Sequence, residues 1–264
     1  MWYEKLGFRE NPFTTNPKKN HDKLVRMDEI IDEMFYRIES GSMLVIEGPQ
    51  GSCKTTLMMI AAKKFGGNKN VAYVDCKILD KNLNITHVLQ DKYGFLGRIL
   101  NKKPKEMILL LDNVQELSKK NTERIKYYFD QNNIKSIIFT TEKYSKAKFS
   151  ESLRDRIGKR VLKIPELDEF DAIEIVKKRI GENSDLFNEE LIKKLFKLSN
   201  NSPKLFLENC EKVAEAAVKK GRKRVQLVDF KVLSTSQENV SDKKSQDKDI
   251  KVSDKNEEVS VEEN

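Results

Sequence analysis

Gly48-Pro49-Gln50-Gly51-Ser52-Cys53-Lys54-Thr55, followed by Thr56, has the residue types of a phosphate cradle. A loop short of large side chains lets successive backbone N–H groups point at phosphate oxygens, and a helix starting at its end adds a positive dipole end. In that arrangement Lys54 reaches the outer phosphates of a nucleotide and the Thr55 hydroxyl ligates Mg²⁺. The pattern G-x-x-x-x-G-K-[ST] asks for glycine before the lysine, where this chain has Cys53. Cys53 is open to two readings. It is a tolerated small residue, with a backbone cost if the position needs a glycine-like conformation. Or it is a thiol whose pKa is lowered by a helix N-terminus and Lys54, so that oxidation blocks the loop.

A strand has to deliver that loop and a helix has to leave it. Ser42-Met43-Leu44-Val45-Ile46-Glu47 reads as a short buried strand, and Lys54 to Phe65 places Leu57, Met58, Ile60, Ala61 and Phe65 at helical spacing before Gly66-Gly67 end it. Val71 to Cys76 predicts a second strand. Met107 to Asn113 is a continuous apolar run that ends in Asp112 and Asn113, as expected of a strand buried on both faces. Ser136 to Thr141 predicts another strand, with a helix over Asn121 to Asp130 before it. Strands alternating with helices predict a parallel sheet whose ligands bind at the carboxyl ends of the strands. Asp112 and Thr141 both end there, beside the loop. The polar stretch from Lys77 to Lys105 predicts only short helical pieces near Ile85 to Leu100.

Upstream, Trp2, Tyr3, Leu6, Phe8 and Asn11-Pro12-Phe13 predict an irregular arm lying on the main domain. Leu24 to Ile38 carries the apolar stripe of an amphipathic helix. After a short strand at Val161 to Ile164, helices are predicted over Asp168 to Ile180, Asn188 to Leu198 and Pro203 to Lys219, the last with Pro203 in its first turn. Beyond about Leu233, polar and charged residues without apolar periodicity predict a disordered tail. The expected division is an α/β domain with its arm at 1–165, a small helical domain at 166–233 and the tail at 234–264.

With 264 residues, 38% of them hydrophobic and 35% charged, the chain can bury a core for one large domain or two small ones. Its apolar runs are far too short to span a bilayer and its first residues carry no apolar signal, so no membrane span and a cytoplasmic location are expected. Cys53, Cys76 and Cys210 share no metal-ligand spacing, and neither His21 nor His87 has a cysteine at such spacing, which points to free thiols and away from zinc. Residues 234–264 hold five lysines against nine acidic residues, a net of −4, and because the whole chain carries +8 this leaves +12 for residues 1–233. That favours a polyanionic partner or a charged solvated surface, and composition does not separate them. Lys219-Lys220-Gly221-Arg222-Lys223-Arg224, the densest basic run, is either a solvated helix end or a contact to nucleic-acid phosphates, with no interleaved aromatics to stack on bases.

Over residues 1 to about 225 the order of these blocks resembles the AAA+ ATPases, most closely the initiator and origin-recognition-like group and the related bacterial secretion and transposition ATPases. The resemblance implies an α/β fold, a P-loop NTPase parallel sheet flanked by helices, followed by a small all-α lid domain. Leu6-Gly7-Phe8 with Glu10-Asn11-Pro12-Phe13, and Leu24-Val25-Arg26 with Asp28-Glu29, look like blocks those proteins place near the adenine; simple cover for the core is the alternative. Gly48 to Thr55 matches Walker A apart from Cys53, and Asp112 matches the Walker B magnesium aspartate. Where the family then carries a carboxylate that polarises the attacking water, this chain has Asn113. An amide orients a water but does not usefully take its proton, so hydrolysis is expected to be slow, or to borrow Glu116 or another base. Thr141 looks like sensor 1, with Thr140 as the neighbouring alternative and ordinary strand threonines as the other. Ser152 to Ile157 resembles the arginine-finger segment, from which Arg156 is offered to a neighbouring subunit's nucleotide; a charged helix end is the alternative. Asn201-Ser202-Pro203-Lys204 resembles the sensor 2 block, with Lys204 in place of the usual arginine.

The resemblance therefore implies a protein that binds ATP or ADP with Mg²⁺ between core and lid, turns ATP over slowly and acts as a nucleotide-dependent switch. Self-association through Arg156 and binding of nucleic acid are the possible partnerships. The alternative is a module that holds ATP without turnover. A small-molecule kinase fits less well, because a helical domain and sensor-like blocks follow the sheet.

Overall fold

Five strands, β1 (Met43–Glu47), β2 (Val71–Asp75), β3 (Met107–Asp112), β4 (Ile134–Thr141) and β5 (Val161–Lys163), pair in parallel in the order β2-β3-β4-β1-β5. The computed structural model describes residues 1–19, 21–66, 70–78, 88, 105–181 and 184–233. β3 is buried at every position and β4 at every position but Lys135. A strand covered on both faces needs apolar residues in succession rather than in alternation, which is why β3 reads as an unbroken run up to Asp112 and β4 does so over residues 137–139.

Successive strand residues still point to opposite faces. On one face Val45, Leu109, Leu111 and Phe139 pack with Ile125 and Leu153, from the helices α3 (Lys119–Asp130) and α4 (Glu151–Ile157). On the other, Leu44, Ile46, Leu110 and Ile138 pack with Met34 and Leu57, from α1 (Asp28–Glu39) and α2 (Lys54–Phe65). Three further helices, α5 (Glu169–Ile180), α6 (Glu189–Leu198) and α7 (Pro203–Lys219), share a separate apolar cluster that includes Leu195, Phe206 and Val213.

Two local expectations change. Helix α1 starts at Asp28 rather than Leu24, and Arg26 before it has a φ of 56°, outside helical geometry. Val25 and Met27 are buried nonetheless, Val25 among the α5–α7 residues and Met27 against the sheet. Leu24 and Met27 keep the three-residue spacing of the α1 stripe because both pack with the cluster that α1 covers, while Val25 between them turns to the helical layer, so the stripe runs back past the helix start. The N-terminal arm also packs on α5–α7, with the Phe13 ring stacked on Trp2 at 6.3 Å and edge-on to Phe187 at 5.7 Å. Aromatic rings bury the most area where other rings and aliphatic side chains receive them, and those lie on the helical layer. No helix of the described residues is long and apolar enough to cross a membrane. The helical pieces expected near Ile85 to Leu100 and the tail at 234–264 lie outside the described residues, Val88 excepted.

Candidate nucleotide site

β1 ends at Glu47, the Gly48 N–H donates to the Thr141 carbonyl of β4 at 3.1 Å, and the chain turns through Cys53 into α2. Both ends of the loop are therefore anchored to secondary structure. Cys53 sits in the left-handed region at φ 69° and ψ 14°, the conformation glycine adopts most easily. Gly51 is also left-handed, at φ 82°, and a Cβ there would lie 3.0 Å from both Ser202 Oγ and Lys204 Cβ. The start of α7 thus presses against the loop at a spot only glycine leaves open. Gly48 is crowded differently: a Cβ would come within 2.7 Å of Ser52 Oγ, which itself donates to the Pro49 carbonyl at 2.8 Å.

Lys54 is buried, 6% exposed, and its ammonium donates to the carbonyls of Gly48 at 2.6 Å and Pro49 at 2.7 Å. Burial lowers its pKa, against the pull of Glu142 and Asp112. The next residue, Thr55, donates through Oγ1 to Asp112 Oδ2 at 2.6 Å, which ties the loop to the carboxyl end of β3. Asp112 is fully buried and is also held by the hydroxyls of Tyr73, at 3.2 Å, and Thr140. Its side-chain donors among the described residues are hydroxyls, so its negative charge has no cation paired with it there. The carboxylate also pushes up the pKa of Tyr73, after the larger effect of burial.

Thr140 therefore touches Asp112, and its Oγ1 also accepts from the Asn113 backbone N–H at 3.1 Å. Thr141 instead donates to Gln115 Oε1 at 3.3 Å and to the Lys143 carbonyl at 3.4 Å. Asn113 leaves the strand in the left-handed region at φ 59°, a conformation that asparagine tolerates better than most residues. From there its side-chain amide donates to Asp75 Oδ1 at 2.9 Å. Asp75 ends β2, in register with Asp112 on β3. Glu116 is exposed on the short turn of helix after Asn113 and does not line the cleft.

A cleft of about 340 Å³ opens over these groups. Gln50, Gly51, Cys53, Lys54, Thr55 and Thr56 form its floor, with Asp75 and Asn113 to one side. Thr14 to Pro17 of the arm line it too, together with Lys204 and Leu207 of α7. Lys204 is half exposed with Glu208 3.8 Å away. Asp75 and Arg179 are not singled out by the sequence, and Arg179, in the last turn of α5, lines the same cleft. Its Nη1 donates to the carbonyls of Pro12 at 3.3 Å and Thr14 at 3.1 Å, while its Nε is buried without a hydrogen-bond partner among the described residues. In the sequence it looks like one more charge in Lys177-Lys178-Arg179, and only the position of the arm distinguishes it.

The Cys53 thiol is not activated. Burial raises its pKa above the ordinary 9.0, and the opposing pull of Arg179 and Lys54 does not overcome this. The expected low-pKa thiol is thereby corrected in direction: Cys53 is half-buried at the cleft, and desolvation outweighs the nearby positive charges. Arg156 lies away from the cleft on α4, half exposed and paired with Asp130 at 2.5 Å. Most of the basic run is likewise paired within the chain, Lys219 with Glu215, Lys220 and Arg222 with the buried Asp229, and Arg224 with Asp185.

A glycine-bearing strand-to-helix loop with a buried lysine, facing a strand-end aspartate across a parallel sheet, defines a P-loop nucleotide-binding protein. Residues 40–171, half of the chain, match the AAA domain family, and the chain belongs to it as a nucleotide-binding AAA+ protein. Among solved structures it is similar to Cdc6p from Pyrobaculum aerophilum, at 13% identity and a TM-score of 0.68 over 81% of this chain and 67% of that one. It is similar to the Aeropyrum pernix Orc1 protein, solved in complex with DNA, at 16% identity and a TM-score of 0.68 over 87% and 69% of the two chains. The Thermotoga maritima RuvB Holliday junction branch migration motor aligns at 16% identity and a TM-score of 0.60 over 79% and 69%. At these identities the likeness is one of fold. No curated protein matches the sequence.

Proposed function

We propose that the protein binds ATP with Mg²⁺ in the cleft between the sheet and α5–α7, hydrolyses it slowly, and uses the bound nucleotide as a switch. The observation that carries this is the 2.6 Å hydrogen bond from Thr55 to Asp112, which puts a loop hydroxyl and a buried carboxylate side by side next to Lys54. Lys54 and the N–H groups from Gln50 to Thr56 hold the phosphates, and the arm residues Thr14 to Pro17, which also line the cleft, lie against the rest of the nucleotide.

The residues fit Mg²⁺. Magnesium is held by one or two protein oxygens together with water and substrate phosphates, not by a complete protein cage. Thr55 and the cation-free Asp112 would supply those oxygens, and among the described residues no group of three or more metal-ligating side chains competes for the ion. When bound, the ion neutralises charge on the phosphates.

Slow turnover follows from Asn113, which stands where a proton-accepting carboxylate is expected, and from the exposure of Glu116 outside the cleft. Thr140 is better placed than Thr141 to report on Asp112. Lys204, at the loop, links the lid to the phosphates as a point charge. Arg156 is proposed as a residue offered to a second copy, for which it must exchange its Asp130 partner. DNA is a candidate partner because one structural neighbour was solved with it, although the pairing of most of the 219–224 charges leaves little of that run for phosphates.

Phosphate release from ATP, measured with and without DNA and repeated with Lys54→Ala, tests the proposal. Slow release that disappears in the variant is the expected result. Tight binding of ATP with no release in the wild type favours a module that holds ATP without turnover, the reading suggested by Asn113 alone.

A further inference from the structure

We infer that Asp75 is the carboxylate that takes the proton from the attacking water, with Asn113 as the residue that positions it. The inference rests on the cleft being an ATP site, and it names the base that Asn113 cannot be.

Two carboxylates line the cleft, Asp75 and Glu142, while Asp112 is fully buried and does not line it. Glu142 is exposed, and among the described residues no hydrogen bond fixes its carboxylate. Asp75 is half-buried at the end of β2, in register with Asp112, so it stands one strand away from the residue that Thr55 touches. Its Oδ1 is fixed twice, by Asn113 Nδ2 at 2.9 Å and by the Lys77 backbone N–H at 3.0 Å. Its Oδ2 accepts no hydrogen bond among the described residues. One oxygen is thus anchored and the other is free to accept.

The amide at 113 gains a role from this arrangement. With its Nδ2 engaged by Asp75, the Asn113 side-chain oxygen remains available to accept a hydrogen bond from a water. The pair supplies what a single carboxylate supplies elsewhere: an acceptor for the proton and a second group to orient the water. The left-handed backbone at Asn113 suits asparagine and disfavours a longer side chain, which fits a carboxylate carried on the neighbouring strand.

In the reaction the water oxygen uses a lone pair to form the new bond to the γ-phosphorus. The bond from that phosphorus to the bridging oxygen breaks, its electron pair leaving with ADP. The proton lost by the water passes to Asp75 Oδ2 and from there to the inorganic phosphate, so the carboxylate is regenerated.

The test compares wild type, Asp75→Asn and the double exchange Asp75→Asn with Asn113→Asp, reading the affinity for a non-hydrolysable ATP analogue and the rate of phosphate release. Asp75→Asn is expected to bind the analogue within about threefold of wild type and to release phosphate about a hundredfold more slowly, the lower end of what a general base contributes. The exchange variant returns a carboxylate to the bonded pair and is expected to regain at least about tenfold. Release by Asp75→Asn at the wild-type rate overturns the inference, as does an exchange variant that binds the analogue and stays as slow as Asp75→Asn. A wild type that binds the analogue and releases no phosphate overturns it too, leaving the binding site standing. A wild type that fails to bind removes both.

Discussion

Cys53 shows how a single departure from a motif is absorbed. Its φ of 69° is the value a glycine would take, and a non-glycine residue there loses roughly 1–2 kcal/mol relative to the right-handed region. Cys53→Gly removes that cost but frees the unfolded chain by a similar amount, so stability should stay within about 1 kcal/mol. Cys53→Val places a β-branched residue where such residues are outliers. It should lower stability by more than about 1 kcal/mol and weaken ATP binding; denaturant midpoints and a nucleotide titration check both. The same residue sets a pH dependence. The thiolate is the reactive form, and a raised pKa shrinks its fraction at every pH below that value. Alkylation of Cys53 near neutral pH should therefore be slower than that of free cysteine, and its rate should still be climbing with pH where that of free cysteine has levelled off. Cys76, pushed up to about 12, and the fully buried Cys210 should be slower still. Rapid modification of Cys53 near pH 7, followed by mass spectrometry, contradicts this.

At the scale of elements, the strands and their order along the chain were legible because β1 and β3 are apolar up to their terminal carboxylates and β4 has an apolar centre at residues 137–139, as strands covered on both faces need. The loop was legible because phosphate binding restricts residue types over eight consecutive positions. The Asp75–Asn113 pair was not, since the two are 38 positions apart and meet only because β2 lies beside β3. Nor was Arg179, whose role depends on an arm that folds back over α5. The start of α1 was not legible because Leu24 and Met27 keep the helical spacing while packing with the same cluster as α1 from outside the helix. The first turn of α5 shows how the helical layer is held in place. Asp168 caps it by accepting from Asp171 N at 2.9 Å, and Asp171 returns the bond to Asp168 N at 2.9 Å while accepting from Arg26 at 3.0 Å. Asp171→Ala should cost about 1–3 kcal/mol, because it removes a cap and a charge-assisted bond together. Arg26→Ala, at a half-exposed guanidinium whose pair is screened by solvent, should cost less than Asp171→Ala. Equal losses in urea titrations would show that the cap contributes nothing.

For the whole molecule, the cleft brings together parts that are distant in sequence: arm, loop, β2, β3, and the ends of α5 and α7. A nucleotide bound there touches both the sheet and the helical layer, and differential contact of that kind is what lets a ligand bias one arrangement over another. Assembly is the readout at this scale. Arg156→Ala should leave stability within about 1 kcal/mol, because the Asp130 pair is largely solvated. It should also abolish any ATP-dependent increase in mass in solution; an increase that persists in the variant removes Arg156 from the contact. Beneath both proposals lies the binding of ATP by this loop. Calorimetric titration of wild type and Lys54→Ala with ATP and Mg²⁺ tests it most directly. Saturable one-to-one binding by the wild type is expected, with at least a tenfold weaker affinity in the variant, on the order of the value of a charge-assisted phosphate contact. Equal affinity of the two proteins, or no binding by the wild type, would contradict it.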